Sequence, residues 1–246
     1  MPVSRRHLVA VLAGAPLALW FAAGPARAGL GTCVLWPQLD EGPYYFDPKQ
    51  VRSDITGGHT GVPLKLMIKV QEFGSCKPVA NARVDIWHAD AGGIYSGFAG
   101  QGDKRNVSTK GETYLRGTQM TDSDGLVTFT TLYPGWYPGR TPHIHVKAFL
   151  GKKMVVTGQA FFPDAFSAKI YHDKQPYSAR PVADTTNGTD GIFGDGEKHG
   201  GGTLLALTET GGGVEGRLTI SVDTSGEAAR KAEGWGGYLK RKLKGG

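Results

Sequence analysis

A chain of 246 residues is long enough to bury one sizeable core or two small ones. Hydrophobic content of 39%, with 38 glycines and 14 prolines, excludes a disordered or collagenous chain and points to short strands separated by many turns. The formal charge of +6 does not argue for a nucleic-acid partner, because Arg5, Arg6 and Arg27 lie in an expected leader and Lys240, Arg241, Lys242 and Lys244 gather in a solvated tail.

Residues 1–28 read as an address. Ser4-Arg5-Arg6-His7-Leu8 opens an apolar run to Ala23, and Gly24-Pro25-Ala26-Arg27-Ala28 supplies a small-x-small cleavage site. The paired arginines favour a twin-arginine signal peptide cleaved after Ala28, with export of the folded chain to the periplasm or the medium. The apolar run, interrupted by Gly14 and Pro16, is short for a membrane span, so no stable insertion is expected after processing. Cys33 and Cys76 then meet an oxidising compartment; their spacing alone leaves open whether they bridge.

The mature chain, 29–246, is expected to form one domain with its core at about 38–225. Val62–Val70 alternates Leu64, Leu66, Ile68 and Val70 against Lys65, Met67 and Lys69, the period of a half-buried strand. Ala82–His88 alternates too, with Val84 and Ile86 on one face and Asp85 and Trp87 on the other. Gly125–Thr131, His143–Phe149, Met154–Phe162, Leu204–Glu209 and Gly216–Val222 are further strand-like runs. Together they predict an all-β fold, an antiparallel β-sandwich with long loops and little helix. Phe166–Gly202 reads as a surface excursion, with short helical turns expected near Asp164–Lys169 and Glu227–Glu233.

Four clusters carry chemistry. In Pro142-His143-Ile144-His145-Val146 the strand period puts both imidazoles on one face, half of a transition-metal site. Alone, such a pair is weak; the preceding loop Tyr133-Pro134-Gly135-Trp136-Tyr137-Pro138-Gly139-Arg140 brings further polar side chains to it. Trp87-His88-Ala89-Asp90-Ala91-Gly92-Gly93-Ile94-Tyr95-Ser96 runs from a strand into a glycine turn. Leu115-Arg116-Gly117-Thr118-Gln119-Met120-Thr121-Asp122 is turn and strand chemistry, and Gln159 places an amide inside an apolar strand, where it needs partners.

In that order these motifs resemble the intradiol ring-cleavage dioxygenases, the family of catechol 1,2- and protocatechuate 3,4-dioxygenases. The likeness covers roughly residues 38–165, beginning at Glu41-Gly42-Pro43-Tyr44-Tyr45. It implies a catalytic domain holding Fe(3+) through Tyr95, Tyr137, His143 and His145, with Tyr133 the rival of Tyr137. It implies that Arg140 steadies developing negative charge, that Gln159 orients Arg140 or substrate, and that Tyr137 serves as a base. Pro43, Tyr44 and Tyr45 would line the mouth of the substrate pocket. The partners implied are a small aromatic diol and O2, and the product is a cis,cis-muconate-type diacid.

The donor types agree, since phenolates are hard anionic oxygens suited to iron(III). Zinc would more often recruit Cys, a third His or a carboxylate, and no haem attachment motif is present. Substituent selection and oligomeric state stay open. Two other readings remain: an exported transthyretin-like β-sandwich binding a carbohydrate or cell-wall ligand, and a hydrolase with a two-histidine metal site.

Overall fold

The computed structural model describes residues 33–47 and 49–231. The leader expected at 1–28 and the basic tail lie outside them. Among the described residues eight strands form two sheets: β1 (Pro63–Glu72), β2 (Arg83–Trp87), β3 (Arg116–Met120), β4 (Leu126–Leu132), β5 (His143–Leu150), β6 (Lys153–Phe161), β7 (Ala206–Thr210) and β8 (Gly213–Val222). One sheet runs β4-β1-β8-β7 and the other β3-β2-β5-β6. The sandwich is as expected except for one pair: β8 lies parallel to β1, Leu64 opposite Val214 through Glu72 opposite Val222. The long crossover between these strands lets β8 enter from the same end as β1, where a hairpin would reverse it.

Alternation explains the core. Leu64, Leu66, Ile68 and Val70 of β1, with Phe129, Ile220 and Val222, pack against Val84, Ile86, Ile144, Val146, Ala148 and Ala160 of the second sheet. Period two then turns Asp85, Trp87, His143, His145 and Gln159 to that sheet's other face. Register completes the placement: Arg116 pairs with Trp87, Trp87 with His145, and His145 with Gln159, one row across four strands.

The region 166–202 runs largely along the surface as expected but is more helical than its sequence suggests, and the turn expected near Asp164–Lys169 extends into a helix. It holds α1 (Asp164–Asp173), a 3-10 turn (Tyr177–Ala179) and α2 (Gly191–Lys198). Three glycines make α2 a poor helix former, but Asp190 caps it, its carboxylate accepting from the Ile192 and Phe193 amides at 2.9 and 3.1 Å. Residues 227–231 are helical. Cys33 and Cys76 form a disulfide with Cα atoms 5.6 Å apart, tying the first described residues to the turn after β1. No helix among the described residues is long and apolar enough to cross a membrane.

Candidate metal centre

The outer face of the second sheet is covered by the 36–47 segment and the loops that carry Tyr95 and Tyr137. Asp90 shapes the first loop: its carboxylate accepts from the Gly92 and Ile94 amides at 2.8 and 3.0 Å, and its carbonyl accepts from Gly93 and Gly135 at 2.9 Å each. Two glycines let the loops touch. A Cβ on Gly93 would sit 2.2 Å from the Trp136 carbonyl oxygen, and one on Gly135 would sit 2.3 Å from that of Ala91. This close approach brings Tyr95 and Tyr137 together.

Their hydroxyls lie 3.2 and 3.1 Å from His143 Nε2, and His145 Nε2 is 3.1 Å from the Tyr95 hydroxyl. The four residues expected as ligands therefore converge. His143 Nδ1 donates to the Thr141 carbonyl at 2.7 Å, which leaves Nε2 with the lone pair. Tyr137 can donate to His143 and Tyr95 to His145, and the same four atoms stand close enough to face a shared cation. Burial, followed by the Arg140 charge, pulls His143 down to about 3, and burial, followed by the closeness of the His143 ring, holds His145 well below its ordinary value. Both imidazoles are thus neutral and competent as ligands. Burial also raises both phenols; a highly charged metal would offset that cost by binding phenolate. Among the described residues no group of three or more His, Cys, Asp or Glu could hold a metal.

A supporting layer fixes the centre. Trp87 stacks on His145 with centroids 4.7 Å apart and planes 6° from parallel. Arg140 Nη1 donates to the Tyr137 hydroxyl at 3.4 Å, its Nη2 to Gln159 Oε1 at 2.5 Å, and its Nε to Asp190 at 2.8 Å. Gln159 Nε2 donates to the Asp40 carbonyl at 2.7 Å, so both ends of the buried amide are satisfied. Tyr44 stacks on Tyr95 at 4.7 Å and lines a cavity of about 240 Å³ with Tyr95, Tyr137 and Pro138. Of the other expected mouth residues, Tyr45 instead faces the sheet, its hydroxyl donating to Asp85 at 2.9 Å, and Pro43 is exposed apart from that cavity. Tyr133 is in the core, its hydroxyl 2.8 Å from Ser167 Oγ and its ring against Phe162, which leaves Tyr137 as the tyrosine of this loop at the centre. A larger cavity, about 600 Å³, lies behind Thr141 against α1 and is lined by none of the four donors.

Two contributors escaped the sequence reading. Asp190 comes from the stretch without periodicity. Arg116 sat in a motif read as turn and strand, yet it is fully buried, donating to the carbonyls of Tyr44 and Ser96 at 2.6 and 2.8 Å and to Ser96 Oγ at 2.8 Å. It fixes both neighbours of the Tyr44–Tyr95 stack, and burial lowers it to about 10.

A two-layer β-sandwich with two tyrosines and two histidines gathered on one outer face defines the class of fold. A family model described as Dioxygenase matches residues 40–166. An intradiol ring-cleavage dioxygenase from Tetranychus urticae is 35% identical with a TM-score of 0.69, over 78% of this chain and 95% of that one. The dioxygenase domain of a dioxygenase–carbohydrate-binding fusion from Streptomyces sp. SirexAA-E is 31% identical with a TM-score of 0.56, over 77% and 98%. The protocatechuate 3,4-dioxygenase beta chain of Burkholderia cepacia is 34% identical over 97 residues, a match that spans only 39% of that relative's length. This chain belongs to the intradiol ring-cleavage dioxygenase family. The binding-module and hydrolase readings gain no support.

Proposed function

We propose that the protein is a non-haem iron(III) enzyme that opens a catechol-type ring between its two hydroxyl-bearing carbons, placing both atoms of O2 in a cis,cis-muconate-type diacid. The observation that carries this reading is the convergence of the Tyr95 and Tyr137 hydroxyls on His143 Nε2, with His145 Nε2 beside Tyr95. These four residues would hold the metal, and iron(III) would draw electron density from the diol oxygens and make the ring reactive towards O2.

The rest falls to the chain's own groups. His143 is held in register by the Thr141 carbonyl, and His145 by the Trp87 ring. Tyr137 Oη, as the phenolate that the metal would stabilise, would take a proton from the incoming diol and become the neutral phenol. The half-buried Tyr137 suits this role better than Tyr95, which is 1% exposed. Arg140, anchored by Asp190 and Gln159, presents fixed positive charge where negative charge develops on the ring, and needs no reorganisation to do so. Tyr44, stacked over Tyr95, excludes water from that side.

Oxygen uptake with 1,2-dihydroxybenzene, 1,2,4-trihydroxybenzene and 3,4-dihydroxybenzoate, with product identification and metal analysis, tests the reading. One iron per chain and a ring-opened diacid are expected; stoichiometric zinc with no iron in active protein refutes it.

Export by the twin-arginine route belongs to the same proposal. The paired Arg5 and Arg6 support it, as does the Cys33–Cys76 bridge, since disulfides persist in oxidising compartments. Replacing both arginines by lysine should leave unprocessed precursor in the cytoplasm, and normal processing of that variant argues for another route.

A further inference from the structure

The two histidines of the centre are supported differently. His143 Nδ1 has the Thr141 carbonyl as its acceptor at 2.7 Å, whereas His145 Nδ1 is buried with no hydrogen-bond partner among the described residues. An imidazole that ligates through Nε2 carries its proton on Nδ1, and an acceptor there ordinarily sets the orientation of the ring. His145 is left to packing for its orientation. Trp87 lies parallel to it, with 6° between the planes and 4.7 Å between the centroids. Gly42 closes on its edge, where a Cβ would sit 3.4 Å from His145 Cε1.

Trp87 has no polar anchor of its own, since its Nε1 is also buried without a hydrogen-bond partner among the described residues. The other ring packed on it is Tyr45, with centroids 4.8 Å apart. Tyr45 is firmly placed. Its hydroxyl donates to Asp85 Oδ2 at 2.9 Å, and Asp85, 2% exposed, also accepts from Thr118 Oγ1 at 2.7 Å and from Arg83 Nε at 2.9 Å. Lys147 Nζ stands 4.2 Å from the centre of the Tyr45 ring and pairs with Glu41. Period two puts Asp85 and Trp87 on one face of β2, and His145 and Lys147 on the same face of β5. We propose that Tyr45 is a positioning residue for the metal ligand His145, acting through Trp87. Asp85 sets the pitch of the Tyr45 ring, and the Tyr45–Trp87 pair supplies by packing the restraint that Thr141 supplies to His143 by hydrogen bonding. The inference rests on the metal-centre reading and goes beyond it, giving a role to a side chain that hydrogen-bonds to none of the four donors.

Iron-loaded wild type, Tyr45→Leu and Tyr45→Phe are compared with Ile68→Val, a packing control from the opposite sheet. Iron(III) affinity is read by competition with a chelator of known strength, ligand-field symmetry by ferric EPR, and packing by melting temperature. Tyr45→Leu removes the ring and should bind iron about 10-fold more weakly, the lower end of the range for groups that orient a metal ligand. Its EPR signal should shift. Tyr45→Phe keeps the ring and gives up only the contact with Asp85, which retains its Thr118 and Arg83 donors, so it should fold and lie between the two. Ile68→Val, fully buried in β1, should melt lower while keeping wild-type affinity and signal. Wild-type affinity and signal in Tyr45→Leu overturn the proposal, as do changes in Ile68→Val that match those of Tyr45→Leu. If Tyr45→Leu does not fold, Tyr45→Phe decides: weaker binding with a shifted signal supports the role, and wild-type values reject it. Oxygen uptake is scored separately. Wild type that holds iron but opens no ring rejects the ring-opening reading and leaves the Tyr45 assignment to the affinities, whereas wild type that binds no iron overturns both.

Discussion

Asp190 Oδ2 lies 2.8 Å from Arg140 Nε across a separation of fifty residues. The same oxygen accepts from the Thr141 amide at 3.0 Å, while Oδ1 caps α2. Burial opposes the charge of this carboxylate, yet the Arg140 hydrogen bond and charge hold its pKa below the usual range. One side chain thus joins the helix start, the entry to β5 and the guanidinium of the site.

Asn at position 190 separates those duties. Asp190→Asn keeps the N-cap acceptor but turns an N–H donor towards Arg140 and the buried Thr141 amide, so turnover should fall roughly 10- to 100-fold through misplacement of Arg140 and unfolding should show a loss of about 1–3 kcal/mol. Asp190→Ala should lose turnover similarly and cost about 1 kcal/mol more, from the lost cap. Wild-type oxygen uptake in Asp190→Asn would remove Asp190 from the positioning of Arg140.

The strands and the ligand pattern were legible because both follow period two. Leu64 to Val70 announced β1, and His143 with His145 had to share a face once β5 was read. Asp190 was illegible because its meaning depends on a contact fifty residues away and on a helix whose glycines conceal it. The parallel pairing of β8 was hidden for the same reason: alternation in Gly213–Val222 fixes which residues point inward but not the direction of the neighbour. Tyr45 shared the local signal of Tyr44, and only the proximity of Asp85 turned it towards the sheet.

The disulfide closes a separation of 43 residues. Replacing Cys33 and Cys76 together by Ser should lower unfolding free energy by about 2–4 kcal/mol in denaturant titrations. Bound iron should remain, since neither cysteine adjoins the four donors. Identical stability of oxidised and substituted proteins would count against the bridge as a staple.

His88 sets an acid limit on stability. It is fully buried, with Nδ1 2.8 Å from the Ala89 carbonyl and Nε2 2.7 Å from Thr131 Oγ1, and burial lowers it to about 4. A depressed folded pKa means that the unfolded chain binds more protons, so stability is fully present above the unfolded value near 6.5 and is lost as pH falls towards 4. The full loss is about 3 kcal/mol. In iron-loaded protein, where His143 and His145 would be held by metal, His88→Asn should flatten unfolding free energy across that window even if it is less stable at pH 8. An unchanged slope between pH 6.5 and 4 would assign the acid loss to other groups.

The two tyrosines should differ in what they control. The Tyr95 hydroxyl is within 3.2 Å of both His143 Nε2 and His145 Nε2, and its ring is sealed beneath Tyr44. The Tyr137 hydroxyl is near His143 alone among the imidazoles, accepts from Arg140 at 3.4 Å, and belongs to a half-buried residue in a loop that holds Pro134, Gly135, Pro138 and Gly139. Tyr95→Phe should therefore weaken iron binding and remove most of the tyrosinate-to-iron colour, with and without diol. Tyr137→Phe should retain part of the iron and, with diol bound, give a spectrum close to wild type. Its turnover should still fall about 10²- to 10⁴-fold, because the phenol oxygen that accepts the diol proton is gone. Tyr133→Phe supplies the control, since that hydroxyl meets Ser167 in the core and its loss should leave the spectrum unchanged. Iron content, visible spectra and single-turnover rates of the three variants decide the matter. The reverse pattern for Tyr95 and Tyr137, or a spectral change in Tyr133→Phe, would withdraw these roles.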